Sequence, residues 1–109
     1  MKKYESIIII DPKLKENEIK DTIEKYKKMM GNFSKKEVTV EDMGERKLAY
    51  EIKKNSTGYY ALFNFYSKPE DIYELERNYR IDDNVIKFIV VRQDELEYDD
   101  SEEEEEEEY

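Results

Sequence analysis

The segment MGERKLAYEIKKNSTGYYALFNF, Met43 to Phe65, decides the fold. It reads as a long β-hairpin. Gly44 permits a bulge in the outgoing strand. Leu48, Tyr50 and Ile52 alternate with charged or small residues, the period of a strand with two different faces. Lys53 to Gly58 carries turn chemistry in Asn-Ser-Thr-Gly. The return strand, Gly58 to Tyr66, is almost wholly aromatic and aliphatic.

Working outward, Tyr4 to Ile10 is a strand whose unbroken isoleucine run implies burial on both faces, and Asp11-Pro12 stops it. Ile19, Ile23, Tyr26 and Met30 recur at the spacing of one helical face, which predicts a helix from about Asn17 to Met30 with Gly31 as its stop. The outgoing hairpin strand begins near Lys36. Beyond the hairpin, Pro69 followed by Glu70 and Asp71 marks a helix start, and Ile72, Leu75 and Tyr79 give its apolar face. Asp82-Asp83-Asn84 is a turn, and Val85 to Arg92 a last strand.

The order β-α-β-β-α-β is the split βαβ arrangement. It predicts an α+β, ferredoxin-like domain in which two helices cover one face of a four-stranded antiparallel sheet. The first and third strands are the most apolar and belong at the centre. Tyr59, Ala61, Phe63 and Phe65 are assigned to the helix side. The open face then receives Tyr60, Leu62 and Tyr66, more apolar area than an ordinary solvated face carries.

The chain of 109 residues has room for one core. Without cysteine it has no disulfide framework, and without histidine it lacks the commonest general base and zinc ligand. No phosphate-binding glycine loop, nucleophile elbow or calcium loop is present. The acid pairs Glu41-Asp42 and Asp82-Asp83 fall in turn or edge positions where carboxylates are solvated. Neither an enzyme nor a cofactor is expected. MKKYESIIII is too short in its apolar run for a signal peptide, and no run approaches a membrane span.

The net charge of −10 is unevenly placed. Glu97 to Tyr109 holds ten acidic residues and no basic one, so 29 − 10 = 19 acidic residues face 19 basic ones before Glu97. This divides the chain into a neutral domain, 1–96, and an acidic tail, 97–109, expected to be disordered. A neutral body is compatible with a nucleic-acid partner if its cations gather on one side. The candidates for RNA contact are Lys2, Lys3, Arg46, Lys47, Lys53, Lys54, Arg80, Lys87 and Arg92, with Tyr4 and Tyr50 as rings that could pack on a sugar or base.

Three blocks, YESIIII (Tyr4 to Ile10), GERKLAY (Gly44 to Tyr50) and RIDDNVIKFIVV (Arg80 to Val91), resemble in order and spacing the S-six family of bacterial small-ribosomal-subunit proteins. GERKLAY is similar to the family's Gly-x-Arg-Arg/Lys-Leu-Ala-Tyr, with Arg46 and Lys47 at its basic pair. Lys87 stands at the basic position of the last block. Glu51 departs from a frequent proline, and Lys2 and Lys3 from arginines of some relatives. The resemblance implies a ferredoxin-like fold without enzymatic activity, a place in the cytoplasmic ribosome, and binding to the central domain of small-subunit ribosomal RNA together with a small basic protein, ribosomal protein S-eighteen. The alternative is an RRM-type single-strand RNA binder or scaffold module, which shares the element order. Its third-strand signature fails here, because Thr57 replaces the leading base and Ala61 the stacking aromatic.

Overall fold

The four consecutive isoleucines divide between two environments. In the computed structural model, which describes residues 1–93, β1 (Lys2–Ile10) lies second from one edge of a four-stranded antiparallel sheet. Ile8 and Ile10 are fully buried in the main core, while Ile9 joins a smaller cluster with Leu48 and Ile86. Successive residues of a strand point to opposite faces, so both faces of this strand are apolar.

The remaining elements are α1 (Glu16–Ser34), β2 (Thr39–Ile52), β3 (Asn55–Ser67), α2 (Pro69–Ile81) and β4 (Val85–Arg92). Strand order is β2-β3-β1-β4. The expected ferredoxin-like α+β architecture is therefore observed, with β1 and β3 central. Phe63, Phe65 and Ala61 are fully buried beside Tyr26, Met30, Leu75 and Tyr79 of the helices, as their alternation predicted. Inside this core the Ser6 and Tyr79 hydroxyls meet at 2.8 Å, which satisfies two buried polar groups at once. Tyr79 also packs between the rings of Tyr26 and Phe88, at 4.7 and 4.9 Å.

Three boundaries differ from expectation. Gly31 does not end α1. The helix continues to Ser34 and stops at Lys35, whose left-handed φ of 62° lets its N–H reach the Gly31 carbonyl at 2.9 Å. The extra turn carries Phe33 against the core. At its other end, the Glu18 carboxylate accepts the Lys15 N–H at 2.9 Å and satisfies a donor the helix start leaves open.

The hairpin turn is also displaced. It is the two-residue loop Lys53-Lys54, between the paired Ile52 and Asn55, with φ of 50° and 67°. Two positive φ values match the right-handed twist of the strands, although each costs an L-residue roughly 1–2 kcal/mol. Asn-Ser-Thr-Gly lies inside β3 instead. Gly58 is held there by proximity, since a Cβ at this position would sit 2.3 Å from Ile9 Cγ2. The third difference is where β2 begins, at Thr39 rather than near Lys36. Along β2, the register shifts between Asp42 and Gly44, where Gly44 takes a φ of 80° and its N–H bonds the Asp42 carboxylate at 3.2 Å.

The turn ahead of β4 is organised by Asp82. Its carboxylate accepts the Tyr26 hydroxyl at 2.6 Å, the Asn84 N–H at 2.9 Å and the Lys25 ammonium at 3.2 Å. Burial pushes its pKa up, but these three donors outweigh that and hold it below the ordinary carboxylate value. A lowered folded-state pKa stabilises the protein above the unfolded value of about 3.9, and the contribution disappears as pH falls through the folded value. Asp82→Asn should therefore lower stability near neutrality by about 2 kcal/mol, in keeping with the removal of charge-assisted bonds, and flatten the acid limb of the stability curve. Urea unfolding between about pH 2 and 7 checks this; an acid limb as steep as that of the parent protein would refute it.

Candidate nucleic-acid interface

The sheet topology sorts the basic candidates into two ends. β1 runs from Lys2 to Ile10, and its partners at the Ile10 end are Tyr59 on β3 and Val85 on β4. Gly58, next to Tyr59, pairs with Arg46 on β2. Lys87 pairs with Ile9, and the Lys53-Lys54 turn closes the hairpin beyond. Lys53, Arg80 and Lys87 line one recess of about 280 Å³ with Tyr79, Val85, Ile86 and Phe88. Three elements contribute a cation each: the hairpin turn, the end of α2 and β4.

Each cation is positioned by a neighbour. Arg80 lies over the Phe88 ring at 5.7 Å and ion-pairs Glu76 one turn back at 3.6 Å. Lys87 donates to the Tyr50 hydroxyl at 2.7 Å, and its ammonium is 5.2 Å from the centre of that ring. Tyr50 is 61 % exposed, so a broad aromatic edge stands beside a cation at the surface. The Arg46 Nε donates to the Met43 carbonyl at 3.3 Å, which ties its stem across the bulge. Lys47, opposite Thr57, is exposed on the alternate face of β2 from Arg46.

Two ring or cation candidates are corrected by burial. Tyr4 is 4 % exposed and stacks on Phe65 at 5.8 Å within the main core, so its ring is not a surface for a base. Its cross-strand partner Arg92 is 8 % exposed. Cross-strand neighbours share a face, which places both on the helix side. Lys2 and Lys3 lie at the other end of β1, Lys2 eight residues from Ile10 and so roughly 27 Å away at the rise of a strand. They do not join the Lys53, Arg80 and Lys87 recess.

The residue pattern predicted an apolar open face but not its centre. Ile7, Ile9, Leu48, Tyr50, Tyr60 and Ile89 line a groove of about 210 Å³ that runs up to Lys87. Leu48 falls on this face by alternation with Gly44 and Arg46, which pair with Tyr60 and Gly58. The alternation of the isoleucine run was the available signal for Ile7 and Ile9.

Tyrosine chemistry here is structural. The Tyr59 hydroxyl donates to Asp42 at 2.5 Å, and that bond with partial burial pushes its pKa up to about 12. Tyr26 and Tyr79 are raised as well, chiefly by burial. None is activated toward ionisation near neutrality. Among the described residues no group of His, Cys, Asp or Glu could hold a metal ion, and no helix is long and apolar enough to cross a membrane.

A four-stranded antiparallel sheet with both helices on one face and an apolar groove on the other is an α+β architecture of the ferredoxin-like class. Comparison with known proteins narrows the class. The family model for ribosomal protein S6 matches residues 3–92. Small ribosomal subunit protein bS6 of Helicobacter acinonychis is 47 % identical over 94 residues, covering 86 % of this chain and 66 % of that protein. The bS6 protein of Caldanaerobacter subterraneus is 41 % identical over 95 residues, covering 87 % of this chain and 100 % of that protein. The crystal structure of 30S ribosomal protein S6 from Thermotoga maritima superposes with a TM-score of 0.80 at 36 % identity, covering 87 % of this chain and 90 % of that one. The chain belongs to the ribosomal protein S6 family. Its relatives are ribosomal proteins and not enzymes. The chain spans about two thirds of the Helicobacter relative and the whole of the Caldanaerobacter one.

Proposed function

We propose that this chain is a component of the small subunit of the cytoplasmic ribosome that binds the central domain of small-subunit ribosomal RNA together with ribosomal protein S-eighteen. The observation that supports the RNA contact is the convergence of Lys53, Arg80 and Lys87 on one recess beside the exposed Tyr50 ring. Cations at this spacing neutralise phosphates and release counterions, which gives affinity with little sequence information. An exposed tyrosine next to them supplies a stacking surface for a base or sugar. Arg46, Lys47 and Lys54 extend the same end. The apolar groove is the seat for the protein partner, whose side chains would cover Ile7, Ile9 and Ile89.

The chain divides in this reading into a folding unit, 1–96, and an acidic extension, 97–109, which lies outside the described residues. The body has little net charge to draw RNA from a distance, so a basic partner supplies the long-range field. Affinity for a central-domain RNA fragment should rise when the partner is added. Equal affinity with and without it would sink the cooperative model.

A further inference from the structure

The two edges of the sheet are built differently. β2 is guarded. Six of its fourteen residues, Glu41, Asp42, Glu45, Arg46, Lys47 and Glu51, are charged, and its pairing with β3 shifts register twice. Charges and bulges of this kind keep a free edge from adding another strand. The other edge, β4, has neither device over 87–91. Its pairs with β1, from Tyr4 with Arg92 to Ile9 with Lys87, follow without a shift. Among the described residues no strand lies on its outer side. Phe88, Val90 and Val91 are half-buried, and Ile89 is 50 % exposed. Lys87 carries the single charge of 87–91.

We propose that the outer edge of β4 takes up β4 of a second copy of this chain, antiparallel, about a two-fold axis at Ile89. Charge selects both the occupant and the register. An axis perpendicular to the sheet keeps each face continuous, so opposed residues share a face, and the available centres are Phe88, Ile89 and Val90. About Ile89, Phe88 meets Val90 of the other copy and Lys87 meets Val91. Val91 in turn lies opposite Glu5 on β1. Lys87 of each copy therefore stands two strand spacings, roughly 10 Å, from Glu5 of the other on the same face. The two long side chains close over the short Val91, and the axis makes the contact twice. Lys87 exchanges the neutral Tyr50 hydroxyl, 2.7 Å away, for a carboxylate, the stronger acceptor. Centred on Phe88, Lys87 would face Ile89 with Ile7 behind it and meet no charge. Centred on Val90, it would face Gln93, which shares a hollow with Lys3, a like charge. Within one copy Lys87 pairs with Ile9, four residues and roughly 13 Å along β1 from Glu5, so the complementarity is realised between copies. The consequence is exclusivity. Lys87 and Ile89 serve either another copy or RNA and a protein partner, so the pairing masks them in the free chain.

The test uses the full-length chain without RNA, so its outcome is separate from that of the proposed function. So narrow a contact gives a weak dimer, half-formed between about 0.1 and 1 mM. Sedimentation equilibrium reads it at ~0.15 M salt, where long-range repulsion is screened. Lys87→Glu alone and Glu5→Lys alone each set like charges across the axis, and each should weaken self-association by roughly tenfold or more. Mixed in equal amounts, the two variants should associate about as well as the parent chain, because each supplies the charge the other lacks; that rescue also shows both to be folded. In the parent, amide signals of 87–91 should shift with concentration while those of Tyr60 and Leu62, in the middle of the open face, stay fixed. Four results would each overturn the proposal: a parent chain monomeric at ~1 mM; single variants that associate as the parent does; a mixture that stays monomeric; or shifts centred on Tyr60 and Leu62, which is stacking of open faces.

Discussion

Gly58→Ala should destabilise the protein by about 3 kcal/mol, the upper range for overpacking a tight interior. The added methyl would lie 2.3 Å from Ile9 Cγ2 and 3.3 Å from Leu48 Cδ2. Ile9 is β-branched and stiff about χ1, and its Cγ2 is held close to the backbone of a central strand. The hairpin must therefore lift from β1, which opens the small cluster of Ile9, Leu48 and Ile86. Gly44→Ala provides the contrast. Nothing lies within 4 Å of a Cβ there, and the cost is the positive φ alone, about 1 kcal/mol. Urea unfolding of both variants checks the pair; a Gly58 variant no less stable than the Gly44 one would contradict the close packing argued for this strand.

Neutralising Arg46, Lys53, Arg80 and Lys87 together with glutamine should weaken binding to a central-domain RNA fragment by about a hundredfold or more at ~0.1 M salt. Each phosphate left without its cation reduces the slope of log affinity against log salt by roughly 0.7 to 0.9, so four of them reduce it by about 3. Glutamine keeps much of the aliphatic stem that packs beside Phe88 and Tyr50, and the exposed charges contribute little to stability. Lys2→Gln with Lys3→Gln, at the far end of β1, should leave the slope nearly unchanged. If the two sets of substitutions weakened binding equally, the basic recess would have no special role and the cations would act as a diffuse field.

Much of this was legible in residue order because the relevant physics is local. The period-2 pattern of β3 assigned Phe63 and Phe65 to the buried face, and the i, i+4, i+7, i+11 apolar series of α1 assigned Ile19, Ile23, Tyr26 and Met30. Strand alternation and helical period are properties of the backbone. The three blocks that resemble the ribosomal family carried the class of protein, and the family match from residue 3 to 92 agrees with it.

Contacts between distant segments decided the rest. Gly58 looked like a turn residue because glycine is permissive, yet it lies in a strand for lack of space beside Ile9, forty-nine residues away. With Gly58 in the sheet, the turn fell to Lys53 and Lys54, two residues with no intrinsic preference for positive φ. Tyr4 read as a surface ring beside basic residues, and only the stacking on Phe65 shows it to be core. The cations of the recess lie at positions 53, 80 and 87, and nothing in their spacing brings them together. Local sequence set the elements and their buried faces, since each rests on a period of a few residues. The antiparallel register of β1 with β3 and β4 placed the basic end and the apolar groove, since those depend on which strand ends meet in space.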